Sequence, residues 1–123
     1  TLKIKKQAIV GGGDPVTMFK GIMVDIRKGF FGTTAGLQLS DFRATANKSY
    51  GPFSPTLSGG WYTINLTSGK DFVNKAATSS GLTQIRLRFN LDDNNNLVAN
   101  TLGLYSGNAP AAGLQLIISY TVP

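Results

Sequence analysis

Three groups of residues in this chain have the types and spacing to do chemistry. Asp92, Asn94 and Asn96 stand at alternate positions of the run LDDNNNL. Such spacing turns several side-chain oxygens to one side, and calcium gathers about six to eight oxygens of this kind. An EF-hand loop would next require a glycine and, at its end, a bidentate glutamate, and Leu97 and Gly103 hold those positions instead. Asn and Asp also tolerate left-handed backbone and hydrogen-bond their own chain, so the same run reads as a turn between two strands. The second group is Asp92 with Asp93, the adjacent carboxylates of the chain. A glycosidase pair must flank its substrate ~5 to 9.5 Å apart, whereas neighbours on a strand or turn point in different directions. The third group is Trp61 and Tyr62 with Asn65, Arg86 and Arg88. An aromatic ring takes the CH-rich face of a sugar, and amide and guanidinium groups take its hydroxyls. Tyr50 and Tyr105 extend the aromatic set, although most aromatics of a β protein fill its core, and a pair such as Arg86 and Arg88 is most often a solvated strand face.

Composition narrows the chemistry further. The chain has no histidine, no cysteine and no glutamate. Ser-His-Asp and Cys-His nucleophiles, Cys/His zinc sites and thiol redox are therefore excluded within it. An enzyme is not expected. Twelve Lys and Arg against six Asp give a net charge of +6, but the bases are scattered and form no tail. Nucleic acid is accordingly the third reading, after a structural module and a sugar binder. Binding of that kind would collapse as salt rises, because phosphate contacts release counterions. The absence of cysteine suits either the cytoplasm or a bacterial exterior. No signal peptide is visible, and no apolar run nears the ~20 residues of a membrane span. The chain begins at Thr1 already in a strand-like pattern, which is expected of a piece of something longer.

Positioning these residues falls to strands. Leu2 and Ile4 alternate with Lys3 and Lys5; Ile22, Val24 and Ile26 alternate with Met23, Asp25 and Arg27. Trp61 to Leu66 directs Tyr62, Ile64 and Leu66 inward and Trp61, Thr63 and Asn65 outward. Leu82 to Leu91 sets Ile85, Leu87, Phe89 and Leu91 against Gln84, Arg86 and Arg88. Leu97 to Tyr105 runs back, and Leu114 to Val122 alternates to the end. GGGDP at 11–15 reads as a loop without a helix, Phe30 and Phe31 plug an end of the fold, and SYGPFSPTLSGG is irregular connection. The one helix expected lies in SGKDFVNKAA, where Ser68 and Asp71 have capping-box spacing. Six or more short strands separated by turns predict an all-β fold, an antiparallel two-sheet sandwich of jelly-roll type, with residues 1–123 as a single domain.

GLTQIRLRFNLDD at 81–93, LGLYSGNA at 102–109 and LIISYTVP at 116–123 resemble the C-terminal half of DNRLRE-type modules. TLKIKKQAIVG and GIMVDIRKGFFG are similar to the middle of such a module. These are carbohydrate-binding-module-like sandwiches within large secreted bacterial surface proteins. The resemblance implies a non-catalytic extracellular module, structural or adhesive, flanked by neighbouring domains of a longer chain. It also implies further strands ahead of the one matching Thr1 to Val10. Their absence would leave a sheet position open and favour self-association by strand addition or swapping.

Overall fold

A computed structural model of the chain describes residues 1–108 and 113–121. Its strands are β1 (Leu2–Val10), β2 (Ile22–Lys28), β3 (Lys48–Phe53), β4 (Trp61–Ile64), β5 (Thr83–Phe89), β6 (Thr101–Leu104) and β7 (Leu114–Leu116). All pairings between them are antiparallel, in two sheets. In the first, β1 is central: β4 lies along one side, and β7 and then β6 follow one another along the other. β1 pairs with β7 through Leu2 to Ile4 and with β6 from Lys6 onward, with a register shift inside the β6 ladder between Lys6 and Ala8. In the second sheet β2 runs between β3 and β5.

Alternation decides what each sheet buries. Leu2, Ile4, Tyr62 and Ile64 from the first sheet meet Ile22 and Val24 from the second, with Val16 and Leu66 closing the cluster. All eight are nearly inaccessible to solvent. The inward set expected for Trp61 to Leu66 is the observed one. The result is an all-β sandwich of two antiparallel sheets.

Several local expectations are corrected. A short helix α1 (Pro15–Met18) does open after the glycine loop, because Asp14 caps it. Its carboxylate accepts from Val16 N–H and Thr17 Oγ1 while Pro15 supplies a helix-ready φ at the first position. The expected helix at Ser68 is a 3-10 turn over Thr67–Phe72 without a side-chain cap of its own. Asn65 Oδ1 takes the Thr67 N–H at 2.9 Å and so starts the turn earlier than Ser68 would. The segment expected to be irregular contains β3, an edge strand where the missing N–H of Pro52 costs no second ladder. The C-terminal strand is shorter than its sequence pattern, with β7 ending at Leu116; Val122 lies outside the described residues.

The connection from β2 to β3 folds over the outer face of the second sheet. Gln84 of β5 accepts from Phe31 N–H and donates to Ala35 O, and Arg86 donates to Ala44 O and Asp41 O. Phe31 is buried under this connection, with the Arg86 guanidinium 4.6 Å from its ring centre.

Candidate functional site

Two surfaces stand out, and both follow from strand phase. The first is a groove beside β5. Asn90 N–H bonds to Gly21 O at one end of the β2–β5 ladder and Gly29 N–H to Leu82 O at the other. These bonds set which residues exchange hydrogen bonds with β2: Gln84, Arg86 and Arg88 do, so Ile85, Leu87 and Phe89 turn their N–H and C=O toward the other edge, which has no strand neighbour among the described residues. On the first sheet Thr1 and Ile117 exchange both backbone bonds. By the same alternation Leu114 and Leu116 of β7 also present backbone groups to an open side. Between the two edges lies a hollow of about 570 Å³. Leu2, Ile85, Leu87, Leu114 and Leu116 form its apolar floor and one wall; Phe31, Leu37 and Phe42 form the other. A smaller hollow of about 190 Å³ continues along β5 to Leu102 and Leu104 of β6. Leu37 is 87% exposed, Phe42 70%, Leu114 47% and Leu116 38%. Isolated exposed apolar residues are ordinary, but a lined trough of them is the mark of a binding surface.

The second surface is the outer face of the first sheet. Ser58 and Trp61 exchange both backbone bonds around Gly59 and Gly60, whose φ values of 55° and 83° make a primed hairpin turn that starts β4 at Trp61. Register places Lys5 directly across from Trp61, and Tyr105 N–H bonds to Lys5 O on the next lane. The ammonium of Lys5 stands 5.7 Å from the Trp61 ring centre and 5.6 Å from that of Tyr105, while that of Lys3 stands 5.3 Å from Trp61. Tyr105 fits there because Gly113, opposite Lys5, has no side chain; a Cβ would strike the Tyr105 Cβ. Trp61, Lys3, Lys5 and Tyr105 therefore form one cationic and aromatic row across neighbouring lanes.

The set expected around Trp61 is not brought together. Tyr62 is 3% exposed and belongs to the core, where burial and then the nearby Asp14 charge raise its phenol pKa. Asn65 is spent on the turn, accepting from both Thr67 N–H and Thr67 Oγ1. Arg86 and Arg88 lie on the other sheet and converge on Asp25, at 2.7 and 3.1 Å from Oδ2. Asp25 is 1% exposed, and Ser49 Oγ donates to its other oxygen at 2.6 Å. Burial pushes the Asp25 carboxyl upward, but the donors Ser49, Arg86 and Arg88 together outweigh it and hold the pKa below the ordinary value.

In the 92–96 run three side chains turn an oxygen onto the chain itself. Asp93, Asn94 and Asn96 each accept from the backbone N–H two residues on, and Asn95 and Leu97 take positive φ. This is the Asx-turn pattern. Among the described residues no three His, Cys, Asp or Glu side chains cluster as a metal site would require. Nor, among them, is any helix long and apolar enough to cross a membrane.

Sequence reasoning placed Tyr105 in one aromatic set with Trp61 but missed Lys3 and Lys5 as companions of the two rings. Alternation placed the two lysines on an outer face, but only cross-strand register says which neighbour they share. No family model, curated protein or solved structure matches the chain.

Proposed function

We propose that this chain is a non-catalytic structural or adhesive module of a bacterial surface or secreted protein, and that it joins its neighbours by accepting an extended strand beside β5. The observation that carries this reading is the coincidence, in one mainly apolar groove, of backbone groups on Ile85, Leu87 and Phe89 that have no strand partner among the described residues. Backbone bonds supply affinity in strand addition, and pockets for alternate side chains supply its specificity. The compartment rests on the resemblance of GLTQIRLRFNLDD and its companion segments to extracellular bacterial modules.

The strand is supplied by a second copy. The segment after β7, residues 118–121, carries no charge, so the like charges of two copies do not oppose its insertion. Its apolar residues, Ile118 and Tyr120, alternate with Ser119 and Thr121 and are exposed. Reciprocal insertion about a two-fold axis fills both grooves at once. Sedimentation at rising concentration is expected to show a dimer. Leu114→Lys with Leu116→Lys, both at exposed wall positions, is expected to return it to monomer with its β-type circular dichroism intact. A strict monomer at high concentration would overturn association through this groove.

A second reading, carbohydrate binding, is favoured by Trp61, which stands on the outer face rather than in the core.

A further inference from the structure

The outer face of the first sheet has a charge character that strand addition does not use. Lys3 and Lys5 point outward beside Trp61 and Tyr105, and none of β1, β4, β6 or β7 contains an acidic residue. Among the described residues the ion pairs within 4.0 Å are those of Asp25, on the other sheet. Both ammonium groups thus stand beside the Trp61 ring, and among the described residues no carboxylate pairs with either. Each gains a modest attraction from the ring it overlies and keeps its hydrogen-bonding capacity for a ligand.

We infer that this face binds an anionic polysaccharide, one carrying carboxylates along its length. The inference rests on the carbohydrate reading above and names its ligand class. Trp61 and Tyr105 occupy lanes on either side of β1, so their backbones lie about 10 Å apart, with Lys5 between them. A chain laid across the strands meets ring, ammonium and ring in turn. The apolar stems of Lys3 and Lys5 flank the rings, and their heads reach the carboxylates. Charge complementarity favours an anionic chain over a neutral one. A polyuronate is favoured over nucleic acid by the kind of cation present. The planar donors suited to forked phosphate recognition, Arg86 and Arg88, are committed to Asp25 on the opposite sheet, whereas this face offers only compact ammonium charges.

Trp61 is the single tryptophan, so its emission reports on the face directly. The protein is titrated with polygalacturonate, with its fully methyl-esterified form, with neutral dextran and with a thymidylate oligomer. Polygalacturonate is expected to change the Trp61 emission saturably, more weakly as salt rises, and the ester and dextran to leave it unchanged. The double variant Lys3→Gln, Lys5→Gln is expected to lose about tenfold or more in affinity, as two charge-assisted contacts go, with an unaltered melting curve. Leu116→Lys, in the groove, is expected to bind as wild type does, which separates this face from strand addition. Equal binding of dextran or the ester would overturn the anionic ligand while leaving carbohydrate binding standing; silence with every polysaccharide would overturn both. Preference for the oligomer would assign the face to nucleic acid, and undiminished affinity of the double variant would remove the lysines from the site.

Discussion

Asp25 shows how a residue that reads as solvent-facing becomes interior. It alternates with Val24 and Ile26, so it points to the outer face of the second sheet, yet Arg86, Arg88 and Ser49 close over it there. Its folded pKa lies below the ordinary carboxylate value, so the ionised form stabilises the fold above about pH 4 and that contribution is lost as pH falls through the folded pKa. Chemical unfolding followed across pH 2 to 6, on the order of the carboxylate range, is expected to show stability falling toward acid in the wild type and a flatter profile for Asp25→Asn. Asp25→Ala leaves two guanidinium groups without their partner and is expected to cost about 3 kcal/mol, the lower end for buried pairs because Arg86 keeps partial exposure. An unchanged unfolding midpoint in Asp25→Ala would show that the cluster contributes no net stability. The triad lay hidden in the sequence because its members are far apart in the chain and only the β2–β5 register joins them.

At the scale of elements, β5 is the strand whose environment departs furthest from its pattern. Its alternation is the strongest in the chain, yet Ile85 and Leu87 are only half-buried, because one edge of the strand has no neighbour among the described residues. Amide hydrogen exchange reads this phase residue by residue. In dilute monomer the N–H groups of Ile85, Leu87 and Phe89 are expected to exchange well before those of Gln84, Arg86 and Arg88, and to gain protection as concentration rises. Uniform protection along β5 in the monomer would mean that the edge is already covered. The hairpin turn into β4 was legible in advance, since Gly59-Gly60 between Ser58 and Trp61 has primed-turn chemistry, yet the prolines before it suggested irregular chain. The start of α1 was equally present in Asp14-Pro15 and was obscured by the three glycines ahead of it.

For the molecule as a whole, stability resides in the dry layer between the sheets. Ile64 is 1% exposed and touches that layer from β4; Leu97 is wholly exposed on the Asx-rich turn. Ile64→Ala is expected to cost about 2 to 5 kcal/mol in urea unfolding, through lost transfer energy and the cavity left behind, and Leu97→Ala close to nothing. Comparable losses at the two positions would contradict the placement of the core. Alternating apolar residues and abundant turn formers determined by themselves that this chain is an all-β sandwich, and the lack of histidine and cysteine that it holds no chemistry of those side chains, because a period of two needs only local geometry to divide a strand into faces. Which outward residues become neighbours was decided by tertiary structure alone. Pairing Lys5 with Trp61, gathering Arg86 and Arg88 onto Asp25 and leaving β5 beside an open groove all depend on register and strand order between distant segments, and those are set by how whole sheets pack rather than by any stretch of chain.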